Sequence, residues 1–175
     1  MIIDFKNLSN RNKLFFSSHI ETFAGHEAGG MFTNNIKNNT VLANLDKLNI
    51  ASMERWFRYN RDITEIDFEK MGLTAIDSLK VGTMGSIFED CDFLEQITFG
   101  SFDTSNVENM QAMFIGCSSL RRLDISNFNM NNIKSTVNMF KGCVSLRKVK
   151  LPDDQDSRNI LIEQLNRDEV KFKIV

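Results

Sequence analysis

Three cysteines stand at one spacing: Cys91, Cys117 and Cys143 are each 26 residues apart. Thiols bind soft metals and carry redox chemistry, so this column is the first place to look for a reaction. Both roles require the sulfurs to converge. A regular period stacks them in register instead, and Asn60 occupies the corresponding place one unit upstream. The column therefore reads as small buried side chains, reduced and slow to react with a thiol reagent. His19, Glu21, His26 and Glu27 are the other group with metal-ligand chemistry, but their spacing is irregular and no His-Glu-x-x-His or Cys-x-x-Cys accompanies them. Gly25, Gly29 and Gly30 lack the Gly-Lys-Ser/Thr that makes a phosphate loop. The Ser, Asp and Glu residues fall at turns and helix starts, with no nucleophile–base–acid set. The expectation is a protein without catalysis, cofactor or metal.

Charge is the remaining chemistry. The chain has 21 basic and 23 acidic side chains and a net charge of −2, which disfavours general nucleic-acid binding. That balance hides an order. Four segments read Leu-x-x-Leu-x-Leu, and the residues between their apolar positions are Thr64, Glu65, Asp67; Glu95, Gln96, Thr98; Arg121, Arg122, Asp124; and Arg147, Lys148, Lys150. Their formal charges run −2, −1, +1 and +3, and Lys171 and Lys173 follow. On strands these residues line one exposed face, where Glu95 faces Arg121 as a cross-strand pair. Glu65, Asp67, Arg121, Arg122, Arg147, Lys148 and Lys150 are thus the expected partner-binding residues, on a polarised docking surface.

The elements that position this face come from an internal repeat. Phe88, Phe114 and Phe140 share the cysteines' period, as do Leu94, Leu120 and Leu146, and Val81, Val107 and Ile133. An earlier copy lies 31 residues upstream of the first, pairing Phe57 with Phe88 and Met53 with Met84; its extra length falls in the segment Glu69–Ala75, expected to be a turn. Each copy has an alternating strand, such as Leu120, Leu123, Ile125, and a Val-x-x-Met-x-x-Met-Phe segment, such as Val107, Met110, Met113, Phe114. Spacings of three and four predict a short helix for the second segment, begun at Asp46, Asp77, Asp103 or Asn129. One strand and one short helix cannot bury their apolar faces alone, but a stack of them can. The expected fold is α/β: a solenoid with a parallel sheet on one face and short helices on the other.

The run Phe102-Asp-Thr-Ser-Asn-Val-Glu-Asn-Met-Gln-Ala-Met-Phe-Ile-Gly-Cys-Ser-Ser-Leu-Arg-Arg-Leu-Asp-Ile resembles the BspA-like leucine-rich repeat, Phe-Asp-Thr-Ser-x-Val-x-x-Met-x-x-Met-Phe-x-x-Cys-x-x-Leu-x-x-Leu-x-Leu. The match is close over residues 76–151 and good over 45–68. The resemblance implies a leucine-rich-repeat solenoid. Relatives of that kind are mostly bacterial or protozoan surface proteins implicated in adhesion.

The ends read as caps on a single domain 1–175: an N-terminal cap 1–44, repeats 45–151 and a C-terminal cap 152–175. Ile2–Phe5 is an expected strand, Leu14, Phe15, Ile20 and Phe23 a helical patch, and Met31-Phe32 a degenerate copy of the Met-Phe ending. At the other end Ser157–Asn166 is an expected helix, followed by an alternating strand from Val170. No secretory leader and no membrane-spanning run is visible, so the expected location is the cytoplasm or a virion, or the cell surface if a leader has been removed. The expected function is a non-catalytic module that binds a protein partner through its sheet face, with no nucleic acid and no membrane insertion. The alternative is self-assembly as a structural subunit of a larger object such as a phage particle, which the small size and the Asn-, Ile-, Lys- and Phe-rich composition would suit.

Overall fold

The computed structural model describes residues 2–4, 32, 37, 38, 40–43, 45 and 50–175. The strands at 65–67, 96–98, 122–124 and 148–150 each form around one buried apolar residue flanked by polar ones, the alternation a half-buried strand requires. The strands are β1 (Ile2–Asp4), β2 (Val41–Ala43), β3 (Glu65–Asp67), β4 (Gln96–Thr98), β5 (Arg122–Asp124), β6 (Lys148–Lys150) and β7 (Lys173–Ile174). β1 and β2 pair as a parallel two-stranded sheet. β3 to β7 form a five-stranded parallel sheet in chain order. Its register aligns Ile66, Ile97, Leu123, Val149 and Ile174 across the five strands. The 26-residue sequence period thus becomes one step along the sheet.

The Val-x-x-Met-x-x-Met-Phe segments are not the helices that their spacing predicts. They are successive turns, and the reason lies in the backbone. Arg55, Ser86, Ala112 and Asn138 form one column of left-handed residues, and Tyr59, Asp90, Gly116 and Gly142 a second, four positions later in each copy. A left-handed residue every fourth position breaks the α-helical hydrogen-bond series. Alternate N–H groups turn instead to the next copy: Ala112, Phe114 and Gly116 donate to the carbonyls of Val137, Met139 and Lys141 at 2.9, 2.9 and 2.8 Å. The intervening Met113, Ile115 and Cys117 donate three residues back within their own copy. Parallel bridges linking Ser52, Thr83, Asn109 and Ser135 continue this second ladder. Of the expected helix starts, Asp103 and Asn129 accept from the N–H two residues on, which closes a turn, while Asp77 precedes the 3-10 turn Ser78–Lys80 without a side-chain cap. Asp46 lies outside the described residues.

The core fills the space between the two ladders. Phe32, Phe57, Phe88, Phe114 and Phe140 are buried in one file with ring centroids 5.5–5.7 Å apart, the last four nearly parallel. Burying each ring contributes about 1.5–3 kcal/mol. Phe32 belongs to this file by its backbone as well, since its N–H donates to the Trp56 carbonyl as that of Phe57 does to Ile87. Phe32, from the Met-Phe pair expected as a degenerate copy, thus supplies one ring of the file.

The 31-residue spacing has a structural cause. The segment expected as a turn is a four-residue helix, α1 (Phe68–Met71), and a 3-10 turn, Leu73–Ala75, which add the buried Met71 and Leu73 to the core. Asp67 caps α1, accepting from the N–H groups of Glu69 and Lys70, and Gly72 ends it at φ 80°. At the far end, α2 (Gln155–Arg167) lies across the last copy with Leu161 and Leu165 buried, and β7 follows it. The helical patch at Leu14–Phe23, the His19, Glu21, His26, Glu27 group and Gly25, Gly29 and Gly30 lie outside the described residues.

Candidate functional site

The exposed face of the five-stranded sheet gathers the charged residues into rows. The register places Glu65, Gln96, Arg122, Lys148 and Lys173 side by side in one row, and Asp67, Thr98, Asp124 and Lys150 in the next. Arg121 and Arg147 are exposed immediately before their strands, joined through the backbone: Arg121 donates to the Glu95 carbonyl and Arg147 to the Arg121 carbonyl. All seven expected residues are therefore on this sheet. They are not equivalent.

At the acidic end the carboxylates are already occupied. Lys70, from α1, sits 3.5 Å from Glu65 and 3.2 Å from Asp67, and Asp67 also caps that helix. Burial would raise the Asp67 pKa, but hydrogen bonds from the Lys70 N–H and ammonium and from the Glu69 N–H outweigh it and hold the carboxyl below its ordinary value. The Asp67 side chain is only 16% exposed, against 46% for Glu65. Asp67 thus has a local job that the sequence reading did not assign to it.

At the basic end the cations are more available. Lys150 pairs with Asp124 at 3.1 Å. Burial would raise the Asp124 pKa too; the Ser126 hydroxyl and N–H and the Lys150 ammonium outweigh it and hold the carboxyl down. Arg147 folds back onto its own loop and donates to the carbonyls of Val144 and Leu146 at 2.8 and 3.0 Å. Among the described residues no ion pair joins Arg122, Lys148 or Lys173 to a carboxylate, nor does one join Glu95 to Arg121. The expected Glu95–Arg121 cross-strand pair is thus a backbone link and not a side-chain one.

A cleft of about 400 Å³ opens between the two rows, lined by Gln96, Thr98, Arg122, Asp124, Lys148 and Lys150. Of the seven expected residues it brings together Arg122, Lys148 and Lys150, and leaves Glu65, Asp67, Arg121 and Arg147 outside. It adds Gln96, Thr98 and Asp124, which share the rows, and Val175, whose N–H donates to the Val149 carbonyl. Pattern reading could have found the first three, since they hold repeat positions. Val175 holds none. Asn38 was missed as well: its side-chain oxygen accepts the N–H groups of Thr64 and Glu65 at 2.8 and 3.3 Å and so covers the β3 edge. The signal was available, because Asn38 lies one 26-residue period before Thr64.

The cysteine column is internal. Cys91, Cys117 and Cys143 are buried, and their sulfurs donate to the carbonyls of Phe57, Phe88 and Phe114 at 3.0–3.1 Å. Asn60 makes the same link to the Phe32 carbonyl through its amide at 3.2 Å. Burial pushes the Cys91 and Cys143 thiols up to about 12 and Cys117 well above its ordinary value, so thiolate chemistry is suppressed. Among the described residues no cluster of His, Cys, Asp and Glu is placed to hold a metal, and no helix is long and apolar enough to cross a membrane.

These features define an α/β protein whose repeat-like units build a parallel sheet with a charged, exposed face. Residues 64–160 match the family model described as Mycoplasma protein of unknown function, DUF285, and the chain belongs to that family. No curated protein and no solved structure matches the chain.

Proposed function

We propose that the chain is a single-domain leucine-rich-repeat solenoid of the BspA-like kind, in which 1–44 and 152–175 cap the repeats 45–151. Its function is that of a non-catalytic protein-interaction module, which binds a protein partner through the exposed face of the sheet. Two features support the solenoid: strand follows strand in chain order at one repeat per step, and a second backbone ladder runs through the turn segments with the same period. The interaction role is carried by one observation. Arg122, Lys148 and Lys173 stand adjacent on an exposed sheet face without a carboxylate partner among the described residues. Unneutralised neighbouring cations repel one another, so a row of them costs stability, and a complementary partner would relieve it.

The test is affinity capture from native extract with the wild type and with the charge-reversed pair Arg122→Glu/Lys148→Glu. Both positions are exposed, and an unchanged thermal midpoint will verify the fold. A partner that the wild type holds and the reversed protein loses, with wild-type binding weakening as salt rises, is the expected result. Equal retention by both proteins would remove this face from consideration.

A further inference from the structure

Resting on the interaction reading above, we propose that the cleft over β4–β6 takes an acidic peptide segment, with Arg122 and Lys148 receiving its carboxylates and Gln96 and Thr98 its backbone amides.

Spacing is the first argument. Neighbouring strands stand ~4.8 Å apart, so Arg122, Lys148 and Lys173 cover about 10 Å across the sheet. Same-side residues of an extended peptide repeat about every 6.7 Å, so two carboxylates two residues apart fall within that span. Arg122 adds a planar fork that suits a carboxylate in two-point contact. The lining is the second argument. Most of it is uncharged or acidic: Gln96 and Thr98 offer donors and acceptors of the kind that peptide groups satisfy, and Asp124 neutralises Lys150 within the cleft. A nucleic-acid backbone presents continuous negative charge and calls for a basic excess. Here only two of the three cations lining the cleft are uncommitted, one acid sits among them, and the whole chain is net −2. The mixture fits a peptide, whose backbone amides can engage Gln96 and Thr98 beside its carboxylates, better than a backbone of phosphates.

The experiment is fluorescence anisotropy of labelled octaglutamate on the full chain, with octalysine and a thymidine octanucleotide as comparators. Octaglutamate is expected to bind and octalysine not to bind. Arg122→Gln/Lys148→Gln is expected to weaken octaglutamate about tenfold or more. Lys134→Gln, which removes a cation from the exposed Glu108 pair away from the cleft, is expected to leave it unchanged. Absence of octaglutamate binding, or equal loss in the Lys134 variant, would overturn the proposal. Equal or tighter binding of the oligonucleotide would overturn it in favour of nucleic acid. If octaglutamate fails while the captured partner is still lost by Arg122→Glu/Lys148→Glu, the interaction module stands and the acidic segment does not. If both fail, the face is not a binding surface.

Discussion

The carboxylate of Asp168 accepts the backbone N–H of Phe140 at 2.8 Å, taking the place that the Met139 carbonyl holds for Phe114. A side chain here stands in for the next copy's backbone. Asp168 also accepts from the Gln164 amide at 2.8 Å, and Gln164 in turn accepts from the Thr136 hydroxyl at 2.9 Å. Asn38 does the same service for the strand ladder at Thr64 and Glu65. Open ladders leave unpaired N–H groups, and these two side chains close one end of each.

Asp168→Ala should therefore destabilise the chain by about 1–3 kcal/mol, the cost of leaving a buried donor unmet. Asp168→Asn keeps an acceptor oxygen and should lose less. Denaturant unfolding checks the ranking, and amide exchange at Phe140 should quicken most in the alanine variant.

Left-handed positions separate the repeats' glycines from their other residues. Ala112 holds φ 54° with a side chain, so Ala112→Gly should stabilise the chain by about 0.5–1 kcal/mol, the relieved strain exceeding the added chain entropy. Gly116 holds φ 73°, and a Cβ there would lie 3.3 Å from the Asp90 Cα and closer still to its carboxylate. Gly116→Ala should cost about 1–2 kcal/mol. Thermal melts of the two variants should move in opposite directions.

How much of this was legible in the sequence depends on which atoms carry the signal. The strands and their register follow from side chains, because Ile97, Leu123 and Val149 recur at the period and each has one buried face. The turn segments were misread because Met110, Met113 and Phe114 have the spacing of a helix face, while the left-handed backbone that forbids a helix falls on Ser86 and Ala112, which give no sign of it. Gly116 and Gly142 did give a sign, but read singly they look like helix ends. The insertion after Asp67 was readable as a helix: Asp67 at its start and Gly72 at its end are a standard cap pair. In the face, the charges were legible and their neutralisation was not, since Lys70 and Asp124 act through geometry that spacing does not contain.

Acid should reveal two of the carboxyls on the sheet face. Asp124 and Asp67 are held below their ordinary value of 3.8, so the folded chain binds their protons less tightly than the unfolded chain does. The stabilisation is complete above that ordinary value and disappears as pH falls through the lower folded one. Asp90 is shifted the other way, raised by burial and by Glu89 and Asp92, so its contribution to the fold grows as pH falls toward the ordinary value, above the range in which the first pair acts. The comparison with Asp67→Asn/Asp124→Asn isolates the first pair: wild type should lose thermal stability relative to that variant as pH falls below 3.8. Parallel melting curves across that range would contradict the assignment.

Thiol access is a further check on the core. With all three sulfurs buried and donating to carbonyls, a thiol reagent should label the native chain only as fast as it unfolds, and label all three rapidly in denaturant. Rapid native labelling of two or more cysteines would show that the turn ladder is open. Cys117→Ser, which keeps a donor toward the Phe88 carbonyl, should be milder than Cys117→Ala by about 1 kcal/mol.

The most direct measurement for the interaction role is an amide chemical-shift map recorded as the captured partner is titrated onto labelled protein. The largest changes are expected on β4, β5 and β6, centred on Gln96, Arg122 and Lys148, and should shrink as salt rises. Changes centred instead on the turn ladder, around Ala112 and Asn138, with the sheet unmoved, would contradict this expectation.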